Sequence, residues 1–279
     1  MNYRELEEQL MKREKQATGS IQSNYQQAIR DIREVMRKYY DKYAINGELR
    51  DEELAKYDRR DKLNKELQNV VGSLWVANAR EIRKNARDQY KQGFEGNIEI
   101  LEEEADRKIQ GEAERDEVQT ALYALVAGMT LKDRLDRRKR DATFRVIESV
   151  NEMTMQDVNI TTLMKKVQEE LEKDGSNAQT ILQTEGHRMK EQAKFKSAKH
   201  AENQGLEIRK KWVSMRDERV RATHEDMDDK YDENGAIPID EDFINQSTGG
   251  RGPTPGNMGT AEDDVNCRCE AEYIVVTDE

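Results

Sequence analysis

The sequence predicts a mainly α protein, with an elongated helical N-terminal region over residues 1–173 and a small acidic α+β domain over 174–279. Three observations predict it. The prolines are Pro238, Pro253 and Pro255, so residues 1–237 lack the residue that breaks helices. Charged side chains make up 38% of the chain and apolar ones 35%. That is below the ~45–50% apolar share of ordinary globular chains, and it suits long helices that need one apolar stripe each. Charge is also divided unevenly: residues 223–279 carry a net −13 and residues 1–222 a net +2. The acidic stretch is where proline and clustered glycine appear.

Ile21, Tyr25, Ala28, Ile32, Val35 and Tyr39 are spaced alternately four and three apart, a heptad-like seam on a first helix. Asn46-Gly47 reads as a turn. A second helix is expected over 59–91, with Leu63, Leu67, Val70, Leu74 and Trp75 on one side, ended by Gly93-Phe94-Glu95-Gly96-Asn97. Ala121–Ala127 is apolar all round and reads as a buried helix. Thr130 and Asp133 form a capping box for the next helix. Ile160, Leu163, Met164, Val167 and Leu171 mark another stripe. Asp174-Gly175-Ser176-Asn177 reads as a stop and restart, because Ser176 and Gln179 form a second capping box, and this places the domain boundary. The following helix runs to about Asn203. Beyond Gly205, Ile208–Ser214 reads as a strand, Asp217–Met227 as a short helix, and Ile237–Asp240 and Cys267–Val276 as strands. Gly249–Gly259 reads as an irregular loop.

Several classes drop out. The longest apolar run, Ala121–Met129, is nine residues, too short to span a membrane. The N-terminus has no apolar signal region. Two cysteines make no disulfide framework and fit a reducing compartment. The acidic balance disfavours general nucleic-acid binding. The local exception is Lys132–Arg140, with six basic residues in nine, which reads either as a helix face paired with Asp133, Asp136 and Asp141 or as a DNA-contacting patch.

Chemistry-bearing residues are sparse. Cys267 and Cys269, at i and i+2, would point to one face of a strand, a pincer suited to a soft metal. His224 could add a third ligand, giving a structural zinc site that lacks a fourth. Packing of two small buried residues explains the same cysteines. Lys230–Glu241 partly fits a calcium loop, but Lys230 stands where the first aspartate belongs, and an Asn-Gly hairpin turn explains the same residues. His187 and His200 fall in a helix without a nucleophile partner. Glu185 and Asp217 are conceivable bases, although no catalytic set assembles around them.

Taken in order, the C-terminal third resembles the Mu F-like head morphogenesis (minor head) proteins of tailed phages. The matching residues are Ile181-Leu-Gln-Thr184-Glu185, then Lys211-Trp212 through Asp217, Arg219, Arg221 and His224. An Asn-Gly turn, Phe243, the Pro/Gly loop and Val265-Asn266-Cys267-Arg268-Cys269 follow. One departure is that the usual Asp-Gly after the histidine helix is spread over Asp228–Gly235. The resemblance implies a non-enzymatic virion component in the capsid interior or at the portal vertex, made in the host cytoplasm and serving head morphogenesis or DNA ejection. It implies the portal protein as partner, with the major capsid or scaffolding protein as further candidates, and a homo-oligomer is compatible. Some relatives look like carriers fused to toxin domains, for which this chain has no spare length. In this reading Trp212 is a packing anchor, Arg221 pairs with an internal carboxylate, and Arg219, Arg221, His224, Cys267 and Cys269 form a folding core. Two alternatives remain. One is a zinc-dependent hydrolase or transferase using His224, Cys267 and Cys269 with Glu185 or Asp217 as base. The other is a generic coiled-coil scaffold.

Overall fold

A computed structural model of the chain describes residues 1–126 and 128–276. The mainly α class holds. Four long helices dominate: α1 (Tyr3–Tyr43), α3 (Arg59–Ala105), α5 (Leu131–Met155) and α6 (Ile160–Asn203). Shorter ones are α2 (Asp51–Leu54), α4 (Arg115–Tyr123), α7 (Ala222–Lys230) and α8 (Ala261–Asp264). The strands are β1 (Ile208–Val213), β2 (Ile237–Pro238), β3 (Phe243–Ile244), β4 (Arg251–Gly252) and β5 (Glu270–Val275).

The chain divides into two compact units built from interleaved stretches, not from 1–173 and 174–279. One contains Met1–Ala17, Ile82–Leu131 and the chain from Thr180 onward; the other contains Thr18–Glu81 and Lys132–Gln179. In the second unit the predicted stripes are the core: Ile21, Tyr25, Ala28, Ile32, Leu63, Leu67, Leu74, Trp75, Leu163, Met164, Val167 and Leu171 are buried. Met36 and Val71 take the buried places expected of Val35 and Val70, which lie half-buried. The Asn46-Gly47 turn forms with both residues at positive φ, +53° and +82°, between bridged Ile45 and Glu48.

Two glycine-based breaks do not occur. The helix α3 continues through Gly93 and Gly96, because these glycines serve close packing instead of chain reversal. A Cβ on Gly93 would lie 3.0 Å from the Lys190 carbonyl oxygen, and one on Gly96 would strike Leu6. The helix α6 likewise runs unbroken through 174–177. Ser176 Oγ and Asn177 Nδ2 return to the carbonyls of Glu172 and Lys173, at 3.3 and 3.2 Å, so residues that favour caps are accommodated inside the helix. Gly175 passes over the Tyr25 ring. The expected buried helix at Ala121–Ala127 is also corrected: α4 ends at Tyr123, and Tyr123 and Leu125 are exposed. Ala127 lies outside the described residues.

The first unit carries the sheet, ordered β2-β1-β5 and antiparallel throughout, with Lys210 opposite Tyr273 and Trp212 opposite Ala271. A separate pair, β3-β4, forms, with β4 inside the segment expected to be an irregular loop and β3 just before it. Alternation along β1 turns Ile208, Lys210 and Trp212 inward. Lys210 donates to the Pro253 carbonyl at 2.8 Å and sits over the rings of Phe195 and Phe243; burial lowers its pKa to about 8. Tyr3, at the start of α1, accepts the Tyr273 N–H at 2.9 Å and donates to Asn97 on α3 at 2.9 Å. A buried charge network joins the same elements. Lys190 pairs with Glu7 and with Glu270 (3.6 Å), and Lys194 pairs with Glu191 (3.2 Å) and Glu270 (3.3 Å). Among the described residues no helix is long and apolar enough to cross a membrane.

Candidate functional site

The residues flagged by spacing meet in the first unit. The chain turns at Asn266, which adopts φ +56°, and delivers Cys267 and Cys269 just before β5 begins at Glu270. The two cysteines therefore precede the strand rather than lie on it, but their sulfurs still converge. His224, three residues beyond the N-cap Arg221 of α7, places Nδ1 3.3 Å from the Cys269 sulfur and 3.7 Å from that of Cys267. The ligand atoms of the three residues lie within 4.8 Å of one another, and all three residues are buried.

A second histidine lies nearby. His187, on α6, is buried and adjoins Cys267, and its Nε2, which lies beside Gly256, has no hydrogen-bond partner among the described residues. The Cys267 thiol is held well below its usual range. The Cys269 S–H bonded to it is the largest cause, and His187 and His224 add to this against the opposing effect of burial. Sharing that proton, together with burial, drives Cys269 upward. Burial works against charge on His224, but Cys267 and then Asp263 outweigh it, so its pKa is raised.

Around this cluster the side chains are fixed. Asp263, on α8 and 1% exposed, faces His224 Nε2 at 3.3 Å. It also accepts from Asn245 (2.9 Å), Thr248 (2.6 Å) and Thr260 (2.7 Å). Its neighbour Asp264 accepts from the backbone of Met258 and Gly259, so two adjacent carboxylates hold the Pro/Gly loop. Only glycine fits at 250, where a Cβ would stand 1.9 Å from Asp263 Oδ2. Trp212 packs edge-to-face on His224 and Phe243, at 5.5 and 5.3 Å between ring centres, which makes it a packing anchor. Its indole N–H, with no other partner among the described residues, adjoins the Cys269 sulfur.

The remaining motif residues have structural partners. Thr184 Oγ1 accepts from Asn266 N at 3.4 Å. Glu185 pairs with Arg188 at 2.9 Å, both fully buried. Asp217 forms a two-pronged pair with Arg268, at 2.6 and 2.7 Å, and Arg268 holds its pKa down at about 2. Arg221 donates to the Val265 carbonyl, not to a carboxylate, and Arg219 is exposed, so neither belongs to the folding core in the way the sequence suggested. Asp228 binds Ser214 and Arg216. Asp232 closes the Asn-Gly turn by accepting from the N–H groups of Asn234 and Gly235. That turn and the Lys230 ammonium beside Tyr231 account for the segment without calcium. His200 lies elsewhere in the unit, edge-on to Phe94 and 3.6 Å from Glu117.

Sequence reasoning set His187 aside and passed over Asp263. The available signal for Asp263 was Thr260 three residues earlier, which caps α8 by accepting the Asp263 N–H. Nothing local marked His187, since only the fold brings α6 to Cys267.

A helical protein whose buried Cys/His cluster joins a long helix to a small sheet is the class defined so far, and residues 146–272 match the model of the Phage Mu protein F like protein family. That matched stretch includes His187, His224, Cys267 and Cys269, so the C-terminal part of the chain is similar to this family. The chain is 25% identical over 275 residues to the Minor head protein GP7 of Bacillus phage SPP1, covering 98% of this chain and 87% of that protein. It is also 28% identical over 160 residues to the NAD(+)–arginine ADP-ribosyltransferase EFV of Enterococcus faecalis, covering 57% of this chain but 31% of that protein. No solved structure matches it significantly.

Proposed function

We propose that the chain is a structural component of the phage virion that binds the portal vertex, serves head assembly or DNA ejection, and has no catalytic activity of its own. The observation that carries this reading is the similarity to a minor head protein along 98% of the chain, which takes in the helical N-terminal half as well as the Cys/His cluster. The conceivable bases are occupied: Glu185 by Arg188, and Asp217 by Arg268. The shared stretch with the ADP-ribosyltransferase is read as a head-protein module, since it spans 31% of that protein. The portal protein is the expected partner through the charged helical faces, with the major capsid or scaffolding protein next. The basic segment Lys132–Arg140 lies on α5, where Lys132 pairs with Asp136 at 2.7 Å and Arg137 with Asp141 at 3.9 Å. Such pairing suits a solvated face more than a phosphate-binding one.

Co-sedimentation of the full chain with assembled portal protein at micromolar concentration and low salt tests this. A complex of fixed stoichiometry is expected. Absence of co-migration, or transfer of ADP-ribose to arginine by the purified chain, would overturn the reading.

A further inference from the structure

We propose that the buried cluster is a closed structural zinc site of Cys2His2 composition, with Cys267, Cys269, His224 Nδ1 and an imidazole nitrogen of His187 as its four ligands. The proposal goes beyond the head-protein role and does not depend on it. Its geometry comes first. A tetrahedral zinc with bonds of about 2.3 Å to sulfur and 2.0–2.1 Å to nitrogen places sulfur and nitrogen about 3.5 Å apart. His224 Nδ1 stands 3.3 and 3.7 Å from the two sulfurs, on either side of that value. The donor set is the one that zinc prefers, and two thiolates with two neutral imidazoles cancel its charge.

The surroundings match what a ligating histidine requires. A metal-bound imidazole donates its second N–H to a carboxylate, which fixes its orientation. His224 does so to Asp263, itself held by Asn245, Thr248 and Thr260 and walled by Gly250. The Trp212 N–H beside Cys269 is placed to donate to a thiolate there. His187 is the candidate for the missing fourth ligand, since it is a buried imidazole adjoining Cys267 whose Nε2, beside Gly256, has no partner among the described residues. Binding displaces the Cys269 S–H proton to solvent, and the metal takes over the charge that this proton shared with Cys267.

Position in the fold says what the site is for. The ligands come from α6, from α7 and from the approach to β5, in a part of the chain whose strands are two to six residues long. Elements this short bury little apolar surface, and a metal staple supplies what they lack. Four protein ligands leave no open position for water, which sets this site apart from a hydrolytic one.

The test uses the full untagged chain loaded with equimolar zinc and dialysed. About one zinc per chain is expected, and X-ray absorption at the zinc edge should count two sulfurs and two imidazoles. Substitution with Co(II) should give intense tetrahedral d–d bands together with thiolate charge transfer. Asp263→Asn should weaken zinc binding about 10–100-fold, and His187→Ala should weaken it by more than that. No retained zinc in the unsubstituted chain overturns the site. A single imidazole in the absorption data, or an unchanged affinity and cobalt spectrum in a folded His187→Ala chain, overturns the assignment of the fourth ligand. The absorption and cobalt measurements on the unsubstituted chain decide the matter even where a variant fails to fold.

Discussion

Asp174 accepts a 2.7 Å hydrogen bond from Tyr25, and the same carboxylate oxygen takes a second, at 3.0 Å, from the Trp75 indole. One buried acid thus ties α1, α3 and α6 together inside the second unit. Burial raises its pKa to about 6, against the two hydrogen bonds and the nearby Arg138 and Arg145, which pull it down. A carboxylate whose folded pKa lies above its unfolded value destabilises the fold where it is ionised. The cost is therefore present above pH ~6 and relieved as pH falls towards 4. A shift of this size corresponds to about 3 kcal/mol. Asp174→Asn keeps an acceptor and removes the charge, so urea unfolding should find it at least as stable as the parent at pH 7.5. Its advantage should shrink at pH 5. An equal difference at both pH values would count against ionised Asp174 as the source.

The buried charges of the first unit predict the opposite response. Glu270 is held at about pKa 2, because Lys190 and Lys194 overcome the burial that would otherwise raise it. Its contribution is complete above the unfolded value near 4.5 and disappears as pH falls through about 2. Lys194→Met leaves Glu191 and Glu270 short of a partner and should cost about 3–5 kcal/mol. It should also move the acid-unfolding midpoint to higher pH. A midpoint that does not move would show that Lys194 does not hold these carboxylates.

Two neighbouring glycines separate backbone strain from lack of space. Gly249 has φ +75° with nothing near its missing side chain, so Gly249→Ala should cost about 1–2 kcal/mol for the left-handed backbone alone. Gly250 meets Asp263, which its hydrogen bonds prevent from moving aside. Gly250→Ala should therefore cost more, about 2–3 kcal/mol, and should disturb the His224 ring resonances, which Gly249→Ala should leave in place. Equal losses would remove the steric argument.

Gly175 tests the continuity of α6. It is helical, and an alanine Cβ there would make ordinary contact with Tyr25, at 3.6 Å. Gly175→Ala should stabilise by about 0.5–1 kcal/mol through helix propensity. A break in the helix at 174–177 would give no gain, or a loss.

What was legible in the sequence was whatever repeats along one element. The seam of α1, the Leu163–Leu171 stripe and the β1 strand each declare themselves by period, and so does the mainly α class. Most of the cluster was legible too, because Cys267 and Cys269 are close in sequence and His224 sits in a motif with them. The rest depends on distance along the chain. His187 acquires meaning only when α6 packs beside a segment far downstream, and Asp263 was hidden in a run of acids whose net charge drew the eye. Gly93, Gly96 and Gly175 misled because a helical glycine chosen for close approach is indistinguishable, in one sequence, from one chosen to end a helix. At Ala121–Ala127 composition alone suggested burial, whereas the chain leaves the helix after Tyr123 and turns Leu125 to solvent.

The hydrogen bond between Tyr3 and Tyr273 has a consequence for how the protein is made. Tyr3 has one of its partners in a strand translated 270 residues later. Until β5 arrives, Tyr3 lacks its partner on Tyr273 and Lys190 and Lys194 lack Glu270, and closure of so long a loop is slow. The other unit, complete once Gln179 is out, is free to form earlier. Ribosome-bound chains stalled before Glu270 should therefore be cut readily by protease near the N-terminus while the intervening Thr18–Glu81 stretch resists. Completion of β5 would then be the event that makes the Tyr3 stretch and that strand resistant together.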